Sequence, residues 1–359
     1  MLYFHNDYNE MCHEKVLEKI AACSAEKVPG YGRDHWCELA ANKIRKSCNN
    51  EDLAVHFLVG GTQTNLTVID AGLRSHQGVI SAETGHIHVH ETGSIEACGH
   101  KILALPTNDG KISAAQVEKL MLAHLGDSDA EHTVQPKMVY ISNPTELGTI
   151  YHKEELTALH KVCRKYGLYL FMDGARLGYG LTAGDNDLTL PDLAELTDVF
   201  YIGGTKCGAM FGEAVVFSNM AIARDFRYLI KQHGGMLAKG WLLGLQFATL
   251  MEDDLYFSIC KHANEQADMI RQTVRDAGYS LLAETTTNQV FPILPDTLLE
   301  KLKEKATFTE QGRVDDTSRA VRFCTSWATT DENVALLCDA IRNANKYFCL
   351  YFYHNILVI

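Results

Sequence analysis

Residues 168–176 read LYLFMDGAR, an unbroken apolar run from Leu168 to Met172 followed by Asp173, Gly174, Ala175 and Arg176. A strand that is apolar on both faces belongs in a parallel sheet covered by helices on both sides. A carboxylate and a guanidinium at its carboxyl end lie where open α/β sheets bind their ligands. An Asp–Arg pair or a helix N-cap is the plainer reading of the same residues. Working outward, Lys153–Tyr166 carries Leu156, Leu159, His160 and Cys163 on one stripe before Gly167 stops it, which predicts a helix. Short runs rich in β-branched and aromatic types, Ala54–Val59, Met138–Ser142, Val199–Ile202 and Ala214–Phe217, alternate with amphipathic stretches such as Ser113–Leu125. The expected fold class is therefore α/β, a doubly wound, mainly parallel sheet.

After about residue 236 the pattern changes. Met236–Glu252 and Leu255–Ala277 read as two long helices, Gln289–Leu294 and Ala320–Thr325 as strands of a second, smaller sheet, and Asp331–Tyr347 as a closing helix. Residues 305–318 read as loop.

The chain has 359 residues, enough for a large α/β domain and an appendage. Its 33 Lys and Arg against 45 Asp and Glu leave a formal charge of −12, which argues against nucleic acid or an anionic membrane as partner, since phosphate backbones need a basic surface. The 11 cysteines form no C-x-x-C pair and fit a reducing compartment, most of them as small core hydrophobes. Met1–Glu10 has no basic segment followed by an apolar run. The apolar stretch Tyr347–Ile359 is shorter than the roughly 17–25 residues of a membrane helix and is expected to dock as a strand, a helix or a subunit contact. These features predict a soluble, cytoplasmic protein.

Three further motifs carry chemistry. Residues 60–65 read GGTQTN, directly after a strand and opening a helix; small residues let the backbone approach an anion, and the first amides of the helix point at it. Thr62 and Gln63 can add side-chain donors. Residues 203–206 read GGTK: a lysine in a pocket at the end of a core strand loses solvation, and a neutral amine is a nucleophile that forms Schiff bases. Residues 84–91 read TGHIHVHE, and on a strand the spacing of two would set His86, His88 and His90 on one side, as in some metal sites. A metal-dependent enzyme is thus an alternative; a helical or irregular segment would break that alignment.

The succession of anion nest, ring side chain, Asp and then Lys 33 residues later resembles pyridoxal-phosphate enzymes of the aspartate-aminotransferase-like fold, fold type I. Over nearly its whole length the chain resembles the low-specificity L-threonine aldolases of the β-eliminating lyase family. GGTQTNL, GHIHVHETG, FMDGAR, the Gly-Gly-Thr-Lys turn and Arg322 in VRFCTSW carry the likeness. It implies a large α/β/α cofactor domain, 31–240, a small α+β C-terminal domain, 241–359, and an N-terminal arm, 1–30, packing with the latter. It implies pyridoxal 5'-phosphate as cofactor and no metal. Gly61 and Thr62 would bind the phosphate and Thr205 would contact the cofactor. His86, which like the family's ring histidine stands five residues before a Glu, here Glu91, would stack on the pyridine ring, Asp173 would pair with its nitrogen and Lys206 would form the Schiff base. Arg176 would contact the cofactor's phenolic oxygen and the substrate carboxylate, and Arg322 would clamp that carboxylate. Asn6 stands where the family has Ser before an Asp, here Asp7, and Tyr31 lies in a loop that lines the family's site.

Two departures stand out. The family's Asn-Thr-His-Asn-Gly-type loop, which helps hold the substrate hydroxyl, is here SNPTELG, residues 142–148, without histidine. The basic residue that reaches the phosphate across a dimer is matched only by Lys231 or Lys239. The expected reaction is cleavage of L-threonine or L-allo-threonine to glycine and acetaldehyde, with His86, or a water it orders, taking the hydroxyl proton. β-Elimination or transamination of another small amino acid is the alternative within the same cofactor class. A homodimer or homotetramer with sites at the subunit contact is implied.

Overall fold

The computed structural model describes residues 1–355, the side chains of 344–355 apart. Its strands are β1 (Leu2–Tyr3), β2 (Ala54–Leu58), β3 (Gln77–Ala82), β4 (Lys101–Leu105), β5 (Gln135–Ser142), β6 (Tyr169–Asp173), β7 (Val199–Gly203) and β8 (Glu213–Phe217), then β9 (Gln289–Val290), β10 (Ile293–Pro295), β11 (Ala306–Thr307), β12 (Thr309–Arg313) and β13 (Ser318–Cys324). Seven of them form one sheet in the order β2-β8-β7-β6-β5-β3-β4. All neighbours are parallel except β8, which runs antiparallel to both β7 and β2.

The doubly covered sheet shows in how alternate side chains divide. Val139, Ile141, Leu170, Met172, Phe200, Ile202, Ala214 and Val216 join one core with the helices Ala114–Gly126, Lys153–Tyr166 and Trp241–Leu250. Met138, Tyr140, Phe171, Val199, Tyr201, Val215 and Phe217 join a second core, on the opposite face, with the helices Gly61–Gly72 and Phe226–Gln232. Strands buried on both faces have no polar alternation, which is why the apolar runs were legible. β3 and β4, QGVISA and KILAL, were not among the expected strands: Gln77 and Gly78 open β3 without an apolar run, and β4 is an edge strand in which only Ile102 is buried.

Gly174 shows why the turn after β6 needs its sequence. A Cβ there would sit 1.8 Å from the Tyr201 carbonyl oxygen on β7, so only hydrogen lets the turn lie against the neighbouring strand.

The C-terminal part has its own core, with Phe4, Ile270, Val274, Leu298, Val321, Phe323 and Leu337. The long helix Leu255–Asp276 packs on Asp331–Asn355, beside an antiparallel sheet of β10, β13 and β12 with β9 pairing on β13. β1 pairs in parallel with β11, tying the N-terminal arm to this part. Three expectations are corrected here. The stretch read as loop, 305–318, carries β11 and β12, whose short polar run TEQGR has the exposure of an edge strand. The helix expected from Met236 starts only at Trp241, after glycines at 234, 235 and 240. The strand read as Gln289–Leu294 is broken into β9 and β10 at Phe291–Pro292, since Pro cannot donate to a ladder. The closing helix runs to Asn355, but the docking expected of the apolar tail falls outside the described side chains.

Candidate active site

The carboxyl ends of the parallel strands open into a cavity of about 910 Å³. β2 leads into Gly60, Gly61 and Thr62, β3 into Thr84 and His86, β5 into Ser142 and Glu146, β6 ends on Asp173 before Arg176, and β7 leads into Thr205 and Lys206. Because β8 is antiparallel, its amino end brings Glu213 to the same edge. Arg322 of β13 and Thr309 and Glu310 of β12 close the far wall.

Asp173 is buried and accepts from four donors. Tyr140 Oη and Asn65 Nδ2 donate to Oδ2 at 2.6 and 2.9 Å, and Tyr201 Oη and the Ala175 amide donate to Oδ1 at 2.5 and 2.9 Å. Tyr140 and Tyr201 alternate onto the face of the sheet that Asp173 shares with Phe171, so strand periodicity alone brings the phenols to it. Burial works against the charge of Asp173, but His86 and these hydrogen bonds outweigh it and hold the carboxyl below its ordinary range. Burial keeps both tyrosines protonated, with pKa values well above the ordinary phenol.

His86 opens a short helical turn, His86–Val89. Its Nδ1 lies 2.7 Å from Glu91 Oε1, and Asn65 Nδ2 and Ser94 Oγ also donate to Glu91, each at 2.8 Å. Burial lowers the His86 pKa, yet the Glu91 hydrogen bond and the charges of Asp173 and Glu91 raise it overall. The His86 amide donates to Glu146 Oε1 at 3.0 Å, which also accepts from Ser142 Oγ at 2.7 Å. The helical turn corrects the alignment of three histidines on one strand face. His86 and His90 line the cavity and His88 does not. Among the described residues no group of three His, Cys, Asp or Glu is placed to hold a metal.

Lys206 Nζ has no hydrogen-bond or ion-pair partner among the described residues, although the chain at Lys206 is fixed by Tyr179 Oη donating to its carbonyl at 2.5 Å. Burial lowers the Lys206 pKa and the nearby Arg176 charge lowers it further, against the raising effect of Asp7, Asp173 and Glu213. Cys207 beside it is fully buried in the core. The helix Gly61–Gly72 begins at Gly60 with no side-chain cap, so its first amides are left to the cavity. Thr62 lines the cavity, but Gln63 is turned away: Nε2 donates to the His233 carbonyl at 3.0 Å.

The two arginines differ in freedom. Arg176 is engaged by Asp7, with Nε and Nη2 donating at 2.7 and 2.9 Å. Arg322 donates from Nη1 to Gln289 Oε1 at 3.1 Å and from Nη2 to the His5 carbonyl at 3.0 Å, while its buried Nε has no partner.

Of the residues singled out in the sequence, Gly61, Thr62, His86, Asp173, Arg176, Thr205, Lys206 and Arg322 all line this cavity. Asn6 does not: it is buried, and Oδ1 accepts from the Tyr8 amide at 3.0 Å, while its neighbours Asp7 and Tyr8 reach Arg176 and the cavity. Tyr31 lies on the rim of a separate cavity of about 210 Å³, half-exposed, with Lys231 Nζ 5.2 Å above its ring. Lys231 and Lys239 do not line the main cavity. Sequence reasoning assigned no role to Asn65, Tyr140, Glu146, Tyr201 and Glu213, and used Glu91 only through its spacing to His86. Asn65 lies inside the quoted GGTQTN and Glu146 inside the quoted SNPTELG, but neither was singled out.

Residues 12–297 match the family model described as beta-eliminating lyase. A protein of Pseudomonas aeruginosa named low specificity L-threonine aldolase is 31% identical over 345 residues, 94% of this chain and 96% of its own. A solved structure of Leishmania major threonine aldolase superposes with a TM-score of 0.94 at 43% identity, covering 96% of this chain and all of that one. Thermus thermophilus aspartate aminotransferase shares the fold, with a TM-score of 0.70 at 16% identity over 96% of this chain and 91% of that one.

Proposed function

We propose, since this chain belongs to the beta-eliminating lyase family, that it cleaves L-threonine or L-allo-threonine to glycine and acetaldehyde with pyridoxal 5'-phosphate as cofactor. The observation that carries the reading is Lys206 Nζ, an unpartnered amine in the same cavity as the four-fold hydrogen-bonded Asp173 and the uncapped start of the helix Gly61–Gly72. These residues fit the cofactor's three demands, an amine for its aldehyde, a carboxylate for its ring nitrogen and amides for its phosphate. When bound, pyridoxal phosphate supplies an electron sink for the substrate carbon that loses its β substituent.

The chain's own residues divide the remaining work. Asp173, kept ionised by Tyr140, Tyr201 and Asn65, holds a proton on the ring nitrogen. Gly61, Thr62 and Thr205 hold the phosphate, and His86, oriented through Glu91, packs on the ring. Arg322 clamps the substrate carboxylate; Asp7 takes two of the nitrogens of Arg176, so Arg176 contributes mainly through Nη1. Burial and Arg176 favour the neutral, nucleophilic form of Lys206. His86 or a water that it orders accepts the hydroxyl proton.

The same reading places the protein in the cytoplasm as a homodimer or homotetramer, with a small amino acid as its substrate. The position of Tyr31, half-exposed and outside its own chain's cavity, suits a role across a subunit contact, and no helix among the described residues is long and apolar enough to cross a membrane. It also retains the division into arm, cofactor domain and small domain, 1–30, 31–240 and 241–359, supported by the separate C-terminal core. Acetaldehyde released from L-threonine, and lost in Lys206→Ala together with the visible absorbance of bound cofactor, is the expected result. Pyruvate from serine with no acetaldehyde from threonine would overturn it.

A further inference from the structure

Glu213 is a buried carboxyl that none of the roles above uses. It sits at the anion-binding end of the cavity, on the strand paired with β2, where its register partner is Leu58, just before Gly60 and Gly61. Its Oε2 accepts from the Gly204 amide at 3.0 Å and its Oε1 lies 2.9 Å from Thr205 Oγ1. Thr205 Oγ1 in turn accepts from the Gly212 amide at 3.0 Å.

A hydroxyl has one hydrogen and two acceptor positions. With Gly212 on one acceptor position, the direction of the Thr205–Glu213 bond decides where the hydroxyl hydrogen goes. If Glu213 is a carboxylate, it can only accept, and it takes the Thr205 hydrogen. If Glu213 is a neutral acid, it donates to the second acceptor position of Oγ1 and leaves the Thr205 hydrogen free. The Gly204 amide is satisfied in both states.

We propose that Glu213 is a positioning residue for the cofactor phosphate: as a neutral acid it donates to Thr205 Oγ1 and releases the Thr205 hydroxyl hydrogen to the phosphate, and as a carboxylate it withholds it. The inference rests on the reading that pyridoxal phosphate binds here with its phosphate at Gly61, Thr62 and Thr205. A dianionic phosphate at that end repels a second anion, so its binding favours the protonated acid.

The surroundings support the same state. Burial pushes the Glu213 carboxyl up to about 8, against the lowering effects of Thr205, the Lys206 charge and the Gly204 amide, and the charge of Asp173 adds to the rise. The titratable groups facing Glu213 are Lys206 from the turn after β7, Tyr201 from β7 and Asp173 from β6. β2 presents Leu58, and the helix Trp241–Leu250 packs Leu243 and Phe247 against Gly212 and Gly204, neither element adding a charge.

The test compares pyridoxal 5'-phosphate with pyridoxal, which lacks only the phosphate, on cofactor-depleted full-length protein, by visible absorbance from pH 6.5 to 9.5. The ratio of the two affinities cancels the titration of Lys206. The wild-type ratio is expected to fall above pH 8, by up to about tenfold per pH unit if one proton is linked. Glu213→Gln can donate to Thr205 and accept from Gly204 at any pH, so its ratio should stay level. Should that variant fail to fold, proton counting by calorimetry on the wild type decides: near pH 9 the phosphate form should take up about one proton more than pyridoxal. A level wild-type ratio, a Glu213→Gln ratio that still falls, or equal proton uptake overturns the proposal while leaving the proposed function standing. No absorbance change with either aldehyde overturns both.

Discussion

Asp7 and Arg176, 169 residues apart in the chain, meet as a buried two-point ion pair, with Arg176 Nε and Nη2 donating to the carboxylate at 2.7 and 2.9 Å. Asn288 Nδ2 adds a third donor at 2.9 Å, so N-terminal arm, large sheet and C-terminal part converge on one carboxylate. Burial would raise its pKa, but the charges of Arg176 and Lys206 and the two sets of hydrogen bonds bring it below the ordinary 3.8 to about 2. Asp7→Asn leaves Arg176 buried without its counter-charge, which costs about 3–5 kcal/mol in buried pairs. A depressed carboxylate contributes stability that is present above its unfolded pKa and lost as pH falls through the folded one. Urea titrations should therefore show the wild type losing about 2 kcal/mol between pH 4 and pH 2 that Asp7→Asn does not lose. Equal losses would mean that the pair adds nothing to folding.

Tyr201 Oη supplies one of the four hydrogen bonds that hold Asp173 ionised. Tyr201→Phe removes one donor, and we expect kcat for threonine cleavage to drop by about tenfold, the cost of a hydrogen bond of roughly 1.5 kcal/mol to a charged group. Asp173→Asn removes the charge itself and should cost about 10²–10³-fold or more. Initial-rate kinetics on cofactor-saturated protein check both, and a Tyr201→Phe enzyme as slow as Asp173→Asn would contradict this ranking.

Glu91 orients His86 and raises its affinity for a proton. In Glu91→Gln the imidazole loses its hydrogen-bonded anion, while burial, which acts in the other direction, remains and Asp173 still opposes it. The His86 titration midpoint, followed by NMR of the ring protons, should move to lower pH. A midpoint that stays or rises would show that Asp173, not Glu91, sets it.

Gly174 lies against the backbone of β7 with no room for a methyl group. Gly174→Ala must push the turn bearing Asp173 and Arg176 off its neighbouring strand. We expect a destabilisation of about 3 kcal/mol or more, in the range of severe backbone clashes, measured by urea unfolding. A loss under 1 kcal/mol would mean that the turn can move at little cost.

Much of the site is legible in the sequence. The apolar runs at Leu168–Met172 and Val199–Ile202 announced strands buried on both faces, and the residues just past them, Asp173 with Arg176 and Thr205 with Lys206, had to emerge at the binding edge. GGTQTN declared a helix start whose first amides point at an anion; that no side chain caps it is a finding of the structure. His86 was distinguished from His88 and His90 only through its spacing to Glu91; the helical turn, which parts the three rings, is a tertiary result.

What the sequence determined by itself was local: which apolar runs are strands buried on both faces, which turns need glycine, and which chemical groups stand at the ends of those strands. Periodicity and backbone sterics act over a few residues, so they can be read from a few residues. What only the tertiary structure decided was which of those groups meet. Tyr140 and Tyr201 reach Asp173 because β5 and β7 flank β6, and Glu213 faces Thr205 because β8 runs antiparallel. Asp7 claims Arg176 because β1 pairs with β11 across most of the chain length. Strand order and direction come from the packing of whole faces against one another, and no short stretch of residues carries that information.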